Sequence, residues 1–283
     1  MAQPRQIDVH HLGNPLVICC FEHDGVIVDP GPESSHHTLL EALDTPPERI
    51  LLTHIHFDHA GATGALVRRW PDVEVWVHER GAPHMLDPSK LVASAARLYG
   101  DDMDRLWGEF LPVPEANLRV LRGGETIGPW RVAYTPGHAS HHVSYLHEPT
   151  GTAMVGDVAG CRIADGPILP PTPPPDVDRE AWHDSVRLLE DWAPQRIAIT
   201  HFGTWDNVAE HLATMHEEID RWAELSRRTD DAAYAAAIEE EMRTRTSDPA
   251  DAEAFINAMP PKMLWAGWAR YWSEREKAAG SEV

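Results

Sequence analysis

Short apolar runs separated by turn-forming residues recur along the first part of the chain. Three such runs lie within residues 5–29, and two more occupy residues 50–53 and 73–78. Between these runs, apolar residues recur at helical spacing over about 34–43 and 58–70. Strands that alternate with helices in this way predict an α/β fold.

The pattern changes further along the chain. Residues 79–110 are predicted to be helical but irregular, since Pro83 and Pro88 interrupt them. We expect this segment either to cover the core or to fold over the strand ends as a lid. Strands return over 117–156, an extended proline-rich segment occupies 166–175, and a last strand ends at His201. We expect a main domain over residues 1–205 and a helical C-terminal extension, residues 206–283, packed on it.

The last predicted helix carries an aromatic stripe. Its members are Leu264, Trp265, Trp268 and Trp272. Such a stripe is most often part of a core, and the alternatives are a pocket wall or the seam of a homodimer.

Composition narrows the choice of partners. The chain has 283 residues, with 24 basic against 45 acidic side chains and a formal net charge of -21. This charge repels phosphate backbones, so we expect a small-molecule substrate and no nucleic acid. No apolar segment approaches the ~20 residues of a membrane helix, and the N-terminus has no apolar leader, so no membrane partner is expected. The three cysteines form no disulfide framework, which favours a cytoplasmic location.

One short stretch concentrates polar chemistry. His54, His56, Asp58 and His59 lie within six residues, directly after an apolar run. Imidazole nitrogen and carboxylate oxygen together suit zinc and similar divalent ions. The sequence therefore predicts a metal site at the end of a strand.

Further polar residues also end apolar runs. Asp29, His138, Asp157 and His201 occupy such positions, and strand ends gather at one edge of the sheet in α/β folds. The succession Asp29, His-x-His-x-Asp-His, Gly-His138, Gly-Asp157 and Thr-His201 closely resembles the metallo-β-lactamase superfamily. The resemblance implies an αββα sandwich, with residues 1–205 as its catalytic domain.

The resemblance also implies the metal ligands. It places one metal ion on His54, His56 and His138, a second on Asp58, His59 and His201, and Asp157 between the two. Asp29 would orient the ligands through hydrogen bonds. The implied cofactors are two divalent ions, with zinc expected and iron or manganese as alternatives.

Two divalent ions imply hydrolytic chemistry. A pair about 3.5 Å apart can hold a bridging hydroxide and polarise an acyl oxygen. Asp58 and Asp157 are then the predicted catalytic carboxylates, with Asp58 also able to accept or shuttle a proton. For the substrate pocket, His142, His78 and Tyr99 are candidates because they lie beside the motifs or in the helical segment.

Several activities remain open within the superfamily. The predicted reaction is hydrolysis of a carboxylic ester, lactone or thioester, and the resemblance extends to lactonases. The alternatives are a phosphotriesterase-like or glyoxalase II-like hydrolase, or an iron-containing redox enzyme on the same fold. Phe57 stands where nucleases of this fold usually have glycine, which argues against a nuclease.

Overall fold

Two six-stranded β-sheets face each other at the centre of the computed structural model, which describes residues 2–281. In each sheet the strands pair in the order in which the chain runs. The first sheet contains β1 (Arg5–Asp8), β2 (Cys19–His23), β3 (Val26–Val28), β4 (Arg49–Leu51), β5 (Glu74–His78) and β6 (Leu118–Leu121). The second contains β7 (Thr126–Ile127), β8 (Trp130–Tyr134), β9 (Val143–His147), β10 (Thr152–Met154), β11 (Arg196–Ile199) and β12 (Gly203–Trp205).

Large apolar side chains fill the space between the sheets. Phe21 and Trp76 from the first sheet meet Trp130 and Tyr145 from the second in one buried cluster. Because successive residues of a strand point to opposite faces, the same strands present a second apolar set outward. Each sheet therefore needs a covering layer on its outer side.

Helices supply both covering layers. The first sheet is covered by α1 (His36–Ala42), α2 (Phe57–Ala60), α3 (Thr63–Arg69), α4 (Ala82–Leu86), α5 (Ser89–Tyr99) and α6 (Met103–Trp107). The second is covered by α7 (Arg179–Trp192), α8 (Val208–Ser226), α9 (Asp231–Arg245), α10 (Pro249–Ala258) and α11 (Pro261–Ser281). The result is the αββα sandwich with additional C-terminal helices, which confirms the predicted fold class.

The helices after residue 206 share one apolar cluster with the second sheet. Trp222 of α8 and Trp268 of α11 are buried in it, beside Ile197 of β11. Asp230 and Asp248 cap α9 and α10 by accepting hydrogen bonds from backbone N–H groups one turn ahead. Among the described residues, no helix is both long and apolar enough to cross a membrane.

The strand directions bring distant segments to one edge of the sandwich. β3 is parallel to β4, and β10 is parallel to β11, while β8 and β10 both run antiparallel to β9. The C-terminal ends of β3 and β4 in one sheet, and of β8, β10 and β11 in the other, precede all of the polar motifs. The strand topology therefore brings the polar motifs to one edge of the sandwich.

Candidate metal centre and the cavity above it

Two glycines allow the second sheet to present its polar residues at this edge. Gly137 and Gly156 have φ values of 134° and 47°, which lie in the region that disfavours side chains. A Cβ atom on Gly137 would lie 2.3 Å from Trp182 Cα, and one on Gly156 would lie 2.5 Å from Thr53 Oγ1. The chain at both glycines therefore packs closely against its neighbours, and the residues that follow, His138 and Asp157, point towards the centre.

Three histidine rings form the first ligand cluster. His54 Nε2 lies 3.0 Å from His56 Nδ1 and 3.2 Å from His138 Nε2, and the latter two atoms are 3.1 Å apart. Burial lowers the pKa of His54 well below its usual value, and it lowers that of His56 to about 4. Burial also lowers the pKa of His138. These rings are therefore neutral near pH 7, which is the form of imidazole that binds metal ions.

Hydrogen bonds on the far side of the rings determine where their protons lie. His138 Nδ1–H donates to the Pro171 carbonyl at 2.8 Å. His54 Nδ1–H donates at 3.1 Å to the hydroxyl of Thr53, whose own proton goes to Asp29 at 2.6 Å. The Nε2 atoms of His54 and His138 therefore both carry lone pairs.

Lone pairs this close to one another repel unless a cation lies between them. Since neither Nε2 of His54 and His138 carries a proton, no N–H···N bond can join these two atoms. A divalent ion held by three nitrogens removes the repulsion, and nitrogen donors suit zinc, iron and related metals. The residues present therefore fit a metal ion.

A second ligand cluster adjoins the first. Asp58 Oδ2 lies 3.3 Å from His201 Nε2 and 3.8 Å from His59 Nε2. Asp157 stands between the clusters, since its Oδ1 is 3.3 Å from His59 Nε2 and its Oδ2 is 3.3 Å from His138 Nε2. The buried atoms His59 Nε2, His201 Nε2 and Asp157 Oδ1 have no hydrogen-bond partner. A second cation between these three atoms would satisfy all of them.

The electrostatics of the second cluster are dominated by carboxylates. Burial alone would lower the pKa of His59, but the charges of Asp157, Asp58 and Asp29 raise it well above its usual value. For His201 the same opposition of burial and carboxylates also ends in a raised pKa. Buried negative charge of this density attracts a divalent cation.

Asp29 holds the two clusters in place from below. Its carboxylate accepts hydrogen bonds from the Thr53 N–H at 2.8 Å, the Thr200 hydroxyl at 3.0 Å and His59 Nδ1–H at 2.9 Å. The residue is fully buried, with φ at 50°. By accepting the hydrogen bond from Nδ1–H, Asp29 thus orients the His59 ring so that Nε2 points into the second ligand cluster.

A cavity of about 810 Å³ opens above the two clusters. His56, Asp58, Asp157 and His201 form part of its lining, and Phe57 lies beside them. Its volume lies in the upper part of the range for small-molecule sites. The extended proline-rich segment lies beside the site, since it contributes Pro171 and Pro173–Pro175 to the wall.

The three predicted pocket residues occupy different places. Tyr99 lies in the cavity wall. His142 is buried behind His54, bonded through Nδ1 to Thr135 Oγ1 at 2.9 Å, and His78 stacks on Tyr134 with ring centroids 4.5 Å apart. Neither His142 nor His78 lines the cavity.

Other wall residues lie outside every motif. His141 lines the cavity instead of its neighbour His142, because adjacent residues at a strand start point to opposite sides. Trp107 packs beside Phe57 and Tyr99, with ring centroids 6.1 and 5.3 Å apart. Met263 lies in the lining near the start of α11. No local pattern marks Trp107 or Met263 in the sequence, whereas His141 directly precedes the candidate His142 in the stretch after His138.

Comparison with known proteins places the chain among relatives with this fold. It is 28% identical over 211 residues to the metallo-beta-lactamase fold-containing protein ST1585 of Sulfurisphaera tokodaii, covering 71% of this chain and 77% of that protein. A solved structure of ST1585 from Sulfolobus tokodaii matches with a TM-score of 0.71 at 22% identity, over 95% of this chain and 99% of that chain. A di-iron-bound structure of TTHA1623 matches with a TM-score of 0.56 at 24% identity, over 75% of this chain and 98% of that chain.

Some relatives have a named activity. The chain is 28% identical over 169 residues to hydroxyacylglutathione hydrolase of Legionella pneumophila, covering 58% of this chain and 51% of that protein. The chain therefore spans about half the length of that hydrolase. The family model described as the metallo-beta-lactamase superfamily matches residues 11–201, which include every metal-ligand candidate. The chain belongs to the metallo-beta-lactamase superfamily.

Proposed function

We propose that this protein is a dinuclear-metal hydrolase that cleaves a carboxylic ester, lactone or thioester. The observation that carries the proposal is the pair of adjoining ligand clusters, which share Asp157 and open into one large cavity. Its superfamily consists mostly of hydrolases. Relatives named hydroxyacylglutathione hydrolase support attack on an acyl group.

The proposed ligands are the seven side chains that the clusters bring together. The first ion is assigned to His54, His56 and His138, and the second to Asp58, His59 and His201, with Asp157 contacting both. Zinc is the proposed metal because it favours imidazole and carboxylate ligands and needs no redox partner. Iron is the leading alternative, since a structure of similar fold is a di-iron form.

When bound, the two ions would supply a hydroxide nucleophile at neutral pH and polarise the scissile carbonyl. The side chain of Asp58 is 22% exposed and faces the cavity, whereas that of Asp157 is only 3% exposed. Asp58 is therefore the carboxylate placed to accept a proton and pass it to the leaving group. Asp157, enclosed between the two clusters, would supply negative charge that offsets the positive charge of the two ions.

The hydrogen bonds behind the ligands keep their tautomers constant through the reaction. His201 Nδ1–H donates to the Val17 carbonyl at 2.6 Å, and His138 Nδ1–H donates to the Pro171 carbonyl. Each bond leaves Nε2 free to act as a ligand. The chain itself therefore preorganises the centre before substrate arrives.

A screen of purified, metal-reconstituted protein tests the proposal. It presents carboxylic esters, lactones, thioesters and phosphotriesters, with a His56→Ala variant and a His37→Ala control. His37 is an exposed histidine of α1, away from the centre. We expect hydrolysis of at least one acyl class, a loss of about a hundredfold or more in His56→Ala, and an unchanged control.

The other outcomes separate the alternatives. Turnover of phosphotriesters with no turnover of acyl substrates would contradict acyl hydrolysis and support the phosphotriesterase alternative. Equal rates in the wild type and His56→Ala would show that the centre does not catalyse the reaction. A protein that binds iron and hydrolyses none of these compounds would support the redox alternative.

A further inference from the structure

Two apolar parts of the cavity wall come from segments that are far apart in the sequence. One wall is α5, where Leu91, Ala95 and Leu98 follow each other at helical spacing and all line the cavity. Leu98 is 47% exposed although it is a large apolar side chain. Exposed apolar surface that lines a cavity typically marks a place where a ligand packs.

The second apolar wall is the junction between α10 and α11. Met259, Met263 and Leu264 line the cavity from this side. Methionine is unbranched and flexible, so it adapts to the shape of an apolar guest. The two walls therefore make part of the cavity apolar. Its polar part, called the floor below, is formed by residues of the two ligand clusters, such as Asp58 and His201.

A substrate must match this division. The scissile carbonyl has to reach Asp58 and His201, and polar atoms packed against the apolar wall residues would lose their hydrogen bonds to water. Lys90, Ser94 and Asn257 also line the cavity from these helices, so the apolar contact is limited to the named side chains. Each methylene buried between apolar walls contributes about 0.8 kcal/mol, or about a fourfold gain in binding. A cavity of about 810 Å³ has room for a chain of many methylenes.

We propose that the substrate carries a long alkyl chain, which packs on the apolar side chains of α5 and of the α10–α11 junction. This inference rests on the proposed hydrolase function for the reacting end of the molecule. For the chain itself it rests only on the two walls.

A series of p-nitrophenyl esters from acetate to decanoate measures the effect of chain length. With metal-reconstituted protein, kcat/KM should rise about two- to fourfold for each added methylene until the cavity is filled. A rate that is flat or falls with chain length, in an active enzyme, would overturn the alkyl-chain proposal and leave the hydrolase function intact.

Two matched variants locate the chain. Leu98→Glu puts a charge in the wall and should lower the decanoate-to-acetate ratio of kcat/KM at least about tenfold. Leu86→Glu is the control, because Leu86 is 41% exposed, lies in the neighbouring helix α4 and does not line the cavity. Equal ratios in the two variants would place the chain elsewhere and overturn the proposal.

Calorimetric titration with decan-1-ol and butan-1-ol tests the walls without any turnover. We expect decan-1-ol to bind with a negative heat-capacity change and at least about a hundredfold more tightly than butan-1-ol, and Leu98→Glu to weaken it. Tight binding in a protein that hydrolyses no ester would refute the proposed function and support the chain site. Equal affinity for both alcohols would refute the chain site.

Discussion

The floor and the walls of the cavity differ in almost every physical respect. The floor consists of the polar side chains of the two ligand clusters, most of them buried. Strand ends that are far apart in the sequence contribute them, and hydrogen bonds such as those to Asp29 hold them. The two apolar walls come from helices α5, α10 and α11, outside the two sheets. The proposed reaction therefore depends on residues at the strand ends, and the proposed choice of substrate depends on the helices outside the sheets.

The strongest test of this separation is Asp157→Asn. The substitution removes the charge between the two clusters at almost constant volume, so kcat/KM should fall about a thousandfold or more. Steady-state assays against an Asp101→Asn control, on the exposed segment before α6, measure the effect. Retention of more than about a tenth of the activity would contradict the role assigned to Asp157.

The helical layer should determine stability and not metal binding. Trp222 is 1% exposed within the cluster that joins α8 to the second sheet, so Trp222→Ala should lower the free energy of unfolding by about 3–5 kcal/mol. Denaturant titration measures the loss, and half-buried Trp192 provides a control with a smaller expected effect. Metal content per folded chain should not change, and a parallel loss of metal would show that the helical layer also supports the metal centre.

Asp29→Asn tests the support beneath the floor. Asparagine tolerates the left-handed backbone at φ 50°, so the change removes charge without adding much strain. Metal affinity should fall about 10- to 100-fold, because His59 loses the carboxylate that orients it. Metal titration of Asp8→Asn, where the carboxylate accepts two backbone hydrogen bonds outside the centre, should give the wild-type affinity.

The smallest expected effect concerns the helix that leads into the second wall. Asp248 caps α10 by accepting a hydrogen bond from Ala250 N–H at 2.9 Å, so Asp248→Ala should lower the free energy of unfolding by about 1 kcal/mol. Asp251→Ala, one turn later, should change it by less than about 0.5 kcal/mol. Thermal melts of both variants measure the difference, and equal melting temperatures would show that the Asp248 cap does not stabilise α10.

The sequence predicted the floor far better than the walls. His54, His56, Asp58 and His59 are close in the chain, and parallel strand ends bring His201 to the same edge, so pattern and topology together were sufficient. The alternation of strands and helices was predicted from local periodicity, whereas the αββα sandwich was implied by the family resemblance.

The walls depend on tertiary packing that leaves no local trace. Nothing near Met263 indicates that the α10–α11 junction would face α5, which lies more than a hundred residues earlier. Likewise, the adjacent residues His141 and His142 look alike in the sequence, and only the start of β9 decides which of them meets the cavity. Specificity was therefore the part that required the structure.

A count of the metal ions bound per chain tests whether the centre is dinuclear. Protein reconstituted with zinc, manganese or iron, freed of excess metal and analysed by mass spectrometry, should hold two ions, because the two ligand clusters are separate but share Asp157. Asp157→Asn should hold fewer. A wild-type protein that retains one ion or none with every metal would contradict a dinuclear centre.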